Sequence, residues 1–338
     1  MTKTKLVNLA LQGGGAHGAF TWGVLERLLR EPRLEIEGIS ATSAGATNAV
    51  VLAHGLTVDG REGAINALAD LWARVSNLAN SSPLQPSWFD RVTRNHGLEY
   101  SPAYFFFDML SRLFSPYQLN PFNYNPLKAI LEDVVDFERL RRRCTVKIFL
   151  SATNVRTGKI RVFSGDELSV ASVLASSCLP LLSQAIEIEG EYFWDGGYMG
   201  NPALFPLIYG CNSCDIIVVH INPTERMEIP KTAPEIINRI NEISFNSSLL
   251  REMRAIAFVG QLIEGGKVTD SNLKRILLHS IEADDVMQGL GPMSKLNVDG
   301  HFLMHLHDIG QNTAERWLDT HLTKIGNKST IDIHARYL

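Results

Sequence analysis

The chain has 338 residues, 45% of them hydrophobic and 20% charged, with 32 basic against 36 acidic side chains and a net charge of −4. That length suits one large domain or two ordinary ones, and the composition excludes a disordered chain. The charge balance argues against a nucleic-acid binder, which needs a basic footprint, and no run of about 18 apolar residues is present to predict a membrane-spanning helix.

The predicted elements alternate along the chain. Residues 6–11 form an apolar run that stops at Gln12 and the triplet Gly13-Gly14-Gly15. From Ala16 the spacing turns helical, with Phe20, Val24, Leu25, Leu28 and Leu29 on one face, ending before Pro32. Residues 36–41 predict a second strand, which runs through Thr42-Ser43-Ala44-Gly45 into a helix to about His54, and residues 61–75 predict another helix. Strand, turn and helix, repeated, imply an α/β fold with a mostly parallel sheet covered by helices. Between residues 77 and 125 five prolines and many aromatics interrupt the pattern, among them Trp88 and Tyr104-Phe105-Phe106-Phe107. Linkers are polar, so this stretch reads as an aromatic-rich helical cap inserted on the sheet.

The pattern resumes with a helix at 126–135, a strand at 145–153, a short helix at 170–177 and a short strand at 192–194 that stops at Asp195-Gly196-Gly197. A buried strand follows at 215–221. Residues 233–264 support one long or broken helix, with Ile236, Ile237, Ile240, Ile243, Leu250, Met253 and Ile256 at helical spacing. A late strand at 275–281 and a last helix at 312–324 close the chain. We read residues 1–222 as a catalytic core and 223–338 as a C-terminal α/β extension packed on it. The opening residues hold too short an apolar run for a signal peptide, and four cysteines in so long a chain suit a reducing, cytoplasmic setting. Cys211 and Cys214 form a CxxC with no second pair, which reads as partly buried thiols sooner than a zinc site.

Three segments can carry chemistry. Gly13-Gly14-Gly15-Ala16-His17-Gly18 lies between a strand and a helix, where glycines let backbone amides approach a phosphate or an oxyanion. A plain tight turn explains this motif equally well. A dinucleotide site would need an acidic residue at the end of the second strand, whereas Glu35 and Glu37 stand at its start. Ala41-Thr42-Ser43-Ala44-Gly45 has the form of a nucleophile elbow, with the Ala44 amide as a further oxyanion donor; an ordinary helix cap is the plainer alternative. Asp195 before Gly196 and Gly197 is a turn when taken alone. Beside an amide cradle and an elbow serine it becomes a base for acyl transfer, provided burial raises its pKa.

In this order and spacing, the three motifs resemble those of the patatin-like phospholipases, which are serine lipid acyl hydrolases. Ser151-Ala152-Thr153-Asn154, Ala175-Ser176-Ser177-Cys178-Leu179-Pro180 and Gly200-Asn201-Pro202 add to the likeness, which covers residues 5–221. The resemblance implies a three-layer hydrolase fold and a Ser43–Asp195 dyad without a catalytic histidine. It also implies an oxyanion hole from Gly13, Gly14 and Gly15, with Gly18, Gly45, Gly196 and Gly197 supporting the motifs. A lipid or other fatty-ester substrate follows, with no metal, no organic cofactor and no nucleic acid. His17 stands where such proteins often carry arginine or lysine, which withdraws a fixed charge there but leaves the amides. The aromatic cap gives such an enzyme a means of peripheral membrane contact.

Two other readings remain open at this point. His301, His305 and His307 lie downstream of Asp195, as a Ser-Asp-His triad of the α/β-hydrolase kind requires; in that fold, however, the elbow follows several strands, and here it follows the second. A lipid-binding protein without turnover is the other, and the complete Ser43 and Asp195 pair argues against it.

Overall fold

The computed structural model describes residues 4–79, 110, 113–227, 229–266 and 273–337. Most of the expected cap, including Trp88 and Tyr104 to Phe107, lies outside the described residues. In chain order the elements are β1 (Lys5–Leu11), α1 (Gly18–Leu29), β2 (Leu34–Ala41), α2 (Ala44–Ala79), α3 (Pro126–Val134), α4 (Phe137–Arg143), β3 (Lys147–Asn154) and β4 (Ile160–Ser164). They continue with α5 (Val170–Ser176), β5 (Ile186–Ile188), β6 (Glu191–Asp195), α6 (Phe205–Gly210), β7 (Asp215–Val219), α7 (Ala233–Glu264), β8 (Leu277–Ile281) and α8 (Gly300–His321).

The strands form one eight-stranded sheet in the order β5-β6-β3-β2-β1-β7-β8, with β4 paired to β3. Pairs β1–β2, β1–β7, β2–β3 and β7–β8 are parallel, while β4, β5 and β6 add an antiparallel side. Being central, β1 and β7 are buried on both faces and read as continuous apolar runs. Their alternate residues divide between two cores. Leu9, Leu11, Ile217 and Val219 face a core shared with α1, α2, α3 and α8, whereas Ala10, Ile216 and Val218 face one shared with α6 and α7. The result is a three-layer helix–sheet–helix arrangement.

Several elements differ from the sequence expectation. The two helices expected over 44–75 are present within the span Ala44–Ala79, parted where Asp59 and Gly60 leave helical angles, and each runs a few residues longer than expected. The helix expected at 312–324 starts at Gly300, because the Asp299 carboxylate caps it by accepting from the amides of His301 and Phe302, and a short helix at Ile333–Tyr337 follows it. Residues after 222 add β8 to the same sheet and lay α8 against α1. The helix at 233–264 is unbroken, but its first half faces the wrong way for a core helix: Ile236, Ile237, Ile240 and Ile243 are 41–58% exposed. Asn238, Arg239, Glu242 and Asn246, on the opposite face, turn toward the protein.

Candidate active site

The site lies at the carboxyl ends of the central strands. β2 ends at Ala41, and Thr42 ties the exit down twice: its amide donates to the Leu11 carbonyl at 3.2 Å and its hydroxyl to the Gly200 carbonyl at 2.6 Å. Ser43 follows with φ of +56°, in the left-handed region that a side chain other than glycine enters at a cost of about 1–3 kcal/mol. The Ser43 amide donates to Ser176 Oγ at 3.0 Å, which fixes the strained residue against α5. α2 begins at Ala44, so the serine stands between a strand end and a helix N-terminus, the geometry of a nucleophile elbow.

β6 delivers Asp195 to the same place. The residue is fully buried and held at three points. Its amide donates to the Cys178 carbonyl at 2.7 Å, its carbonyl accepts from Thr153 Oγ1 at 2.8 Å, and Oδ1 accepts from the Gly197 amide at 2.7 Å. The remaining oxygen, Oδ2, makes no hydrogen bond of good geometry, although the Ser43 hydroxyl is near enough to favour the charged form. Burial dominates and pushes the pKa up to about 7, against the pull of the Gly197 amide and of Ser43. The flanking Cys178 and Tyr198 are both pushed up to about 12, first by burial and then by Asp195, so neither supplies a counter-charge.

The glycine loop packs directly on the serine. A Cβ on Gly13 would stand 2.6 Å from Ser43 Cβ, a distance only glycine avoids. Gly15 has φ of +59° and presses on the Lys295 carbonyl. The Gly13 amide already donates to Asn201 Oδ1 at 2.7 Å. Gly18 sits against Ala44, Gly45 against the backbone of Leu11 and Gln12, Gly196 on the Ser151 carbonyl and Gly197 under the Phe245 ring. All the residues singled out by motif therefore converge on the ends of β1, β2, β3 and β6.

Gln12, Asn201, Asn222 and Asn246 brace this convergence. Gln12 Oε1 accepts from the amides of Ile221 and Asn222 at 3.0 Å each, and its Nε2 donates to Asn246 Oδ1 at 3.2 Å. A buried glutamine closing an apolar strand is the sequence signal that could have found this clamp; Asn246, more than 200 residues away, has no such signal. His17 is a buried neutral ring with its pKa lowered to about 3, chiefly by burial and also by Lys295 and Arg226. The Ser294 hydroxyl gives its proton to the Gly291 carbonyl, so His17 Nε2 donates to it, at 2.7 Å. No charge at position 17 enters the site.

The downstream histidines lie elsewhere. His307 Nε2 is bonded to Glu26 at 3.0 Å, with its ring 4.0 Å from that of Trp22 at the α1–α8 contact, while His301 and His305 are exposed. Among the described residues no group of three His, Cys, Asp or Glu side chains is placed to hold a metal ion. Cys211 is buried and Cys214 half-buried, both as free thiols. A groove of about 500 Å³ between α6 and α7, lined by Phe205, Ile208, Tyr209, Glu252 and Ile256, includes neither Ser43 nor Asp195.

Residues 9–208 match the family described as patatin-like phospholipase. Among solved structures, the chain is similar to VipD from Legionella pneumophila, at 16% identity and a TM-score of 0.43, covering 95% of this chain and 67% of that one. It is also similar to ExoU in its heterodimeric complex with SpcU, from the type III secretion system of Pseudomonas aeruginosa, at 15% identity and a TM-score of 0.37, covering 94% of this chain and 53% of that one. The chain thus spans about half of that ExoU chain and two thirds of VipD. No curated protein matches it.

Proposed function

Because the chain belongs to the patatin-like phospholipase family, whose membership implies lipid acyl hydrolysis, we propose that it cleaves carboxylic esters of fatty acids with Ser43 as nucleophile and Asp195 as base. The observation that carries this reading is the buried Asp195 carboxylate, with one oxygen held by Gly197 and the other left without a bond beside the Ser43 hydroxyl. A pKa near 7 makes it half-ionised at neutral pH, close to the best compromise for a general base.

In this mechanism Ser43 Oγ attacks the acyl carbonyl as its proton passes to Asp195. The carbonyl oxygen gains negative charge, and the Gly13 amide is committed to Asn201, which leaves Gly14, Gly15 and Ala44 to receive it. Asp195 then returns the proton to the departing alcohol, leaving an acyl-serine. Water, losing a proton to Asp195, displaces the acyl group from Ser43, and the proton returns to the serine with release of the fatty acid. No histidine takes part. A serine-directed fluorophosphonate should label the protein, with the modified peptide containing Ser43, and Ser43→Ala should abolish both labelling and turnover. Full activity in a folded Ser43→Ala variant, or a His307→Gln variant as inactive as Asp195→Asn, would sink the dyad.

A lipid aggregate is the proposed site of action, approached from the cytoplasm. Among the described residues no helix is long and apolar enough to cross a membrane. The surface favours peripheral contact: the outward isoleucines of α7 belong to a helix whose Phe245 packs on Gly197 beside Asp195. The described end of the expected cap leaves Tyr117, Phe122 and Tyr124 exposed as well, with Tyr117 Oη accepting from the Ala185 amide in the loop after α5.

A further inference from the structure

Two residues that no motif includes reach the glycine loop from beyond β7. The Gly13 carbonyl accepts from Asn222 Nδ2 at 2.6 Å, and Asn222 Oδ1 accepts from the Lys295 ammonium at 2.9 Å. Lysine can only donate and a peptide carbonyl can only accept, so these partners fix the orientation of the Asn222 amide. Asn222 is itself buried, and its backbone amide is held by Gln12 Oε1 at 3.0 Å. Lys295 belongs to the turn Pro292–Leu296, whose backbone presses on Gly15, so side chain and main chain both brace the loop.

A trans peptide carries its C=O and N–H on opposite edges of one plane. Holding the Gly13 carbonyl therefore fixes the direction of the Gly14 N–H, away from Asn222. The same bonds make a chain of amides, from the ammonium through the Asn222 carboxamide to the Gly13–Gly14 peptide. Each donor polarises the next amide, by about 10–30% per bond. Glu242, the acidic neighbour of Lys295, is already paired with Arg226 at 2.6 Å and Arg239 at 3.2 Å.

We infer that Lys295 and Asn222 are a positioning pair for the Gly14 amide, aiming its N–H and strengthening it as a donor while negative charge develops on the substrate carbonyl. The inference rests on the proposed acyl-transfer reading, in which Gly14 receives that charge. Neither residue touches the reacting atoms.

The test compares Lys295→Met, Lys295→Arg, Asn222→Ala and the double variant Asn222→Ala/Lys295→Met, using a soluble nitrophenyl ester, thermal melts and the amide spectrum of glycine-labelled protein. Loss of one oxyanion donor costs about 10²–10³-fold in kcat. Asn222→Ala should lose about 100-fold and Lys295→Met about tenfold, with KM within about twofold. Lys295→Arg should recover most of that loss, and the double variant should be no worse than Asn222→Ala alone, because the two act as one unit. The Gly14 amide resonance should move in Lys295→Met while distant glycines stay. Should Lys295→Met fail to fold, Lys295→Gln keeps a donor without the charge and should show a smaller loss in kcat. A Lys295→Met kcat within twofold of wild type, a loss confined to KM, or losses that multiply in the double variant would overturn the pair. If the wild type neither turned over nor labelled at Ser43, the functional reading would fall by itself; an unmoved Gly14 resonance would overturn the pair separately.

Discussion

Gly13 and Ser43 meet across the ends of β1 and β2, so closely that a Cβ on the glycine would stand 2.6 Å from that of the serine and 3.0 Å from the Thr42 carbonyl. Neither side can yield easily, because Thr42 is hydrogen-bonded to Leu11 and Gly200 and Ser43 to Ser176. Gly13→Ala should therefore lower kcat by about 10² or more, since a misplacement of about 1 Å in a reacting group is enough for that. Overpacking of this kind costs about 1–3 kcal/mol in stability. Paired kinetics and melts check it. A variant with wild-type kcat would mean that the contact relaxes without moving the serine.

The left-handed backbone of Ser43 leads to a second prediction. Glycine adopts φ of +56° freely, so Ser43→Gly should raise the melting temperature by a few degrees while abolishing fluorophosphonate labelling. A gain in stability with loss of chemistry is the mark of strain kept for function. A lower melting temperature for Ser43→Gly would mean that the hydroxyl contributes more to packing than the strain removes.

Asp195 ties activity and stability to the same titration. Its folded pKa, about 7, lies above the ordinary 3.8, so its contribution to stability is full below about pH 4 and is lost as pH rises through 7. The carboxylate form is the one that accepts the serine proton, so kcat/KM should rise with pH through an apparent pKa near 7 and then level off. Asp195→Asn should lose about 10²–10⁴-fold in rate and yet melt higher than wild type at pH 8, the gap closing toward pH 4. A wild-type acid limb near pH 4, or an Asp195→Asn variant less stable at pH 8, would contradict the buried, partly protonated carboxyl.

The sequence made the central sheet legible for a physical reason. β1, β7 and the second half of β2 are buried on both faces, so their apolar stretches stand out, and β1 and β2 each end at a motif of small residues. The antiparallel strands β4 and β5 are half-exposed and short, and their mixed composition hides them. Among the proposed site residues, Ser43 and Asp195 are legible because local motifs surround them. Asn222, Asn246 and Lys295 were missed because they act through long-range hydrogen bonds, which leave no local pattern. The isoleucines of α7 show the opposite failure. Their helical spacing was read correctly, but spacing does not say which side a stripe faces. Here the ion pairs of Glu242 with Arg226 and Arg239 draw the polar side of the helix inward.

That reversed helix gives the last prediction. Ile236, Ile240 and Ile243 recur at spacings of four and three, so they share one outward face, while Phe245 and Asn246 on the next turn join the helix to Asp195's turn and to Gln12. Full burial of such a side chain contributes about 1.5–3 kcal/mol, and half-burying each of these on a lipid surface would still contribute about 1 kcal/mol apiece. With a net charge of −4, long-range attraction to anionic lipid offers little, and apolar contact must dominate. Ile240→Asp combined with Ile243→Ser should reduce binding to neutral phosphatidylcholine vesicles, and hydrolysis of long-chain esters in them, by about tenfold or more. Turnover of a soluble short-chain ester should stay within about twofold, and the melting temperature should hold, because both side chains already face solvent. Equal losses on both substrates with a lower melting temperature would assign the stripe to the fold; a monomer released from a dimer by the same substitutions would assign it to a second copy of the chain.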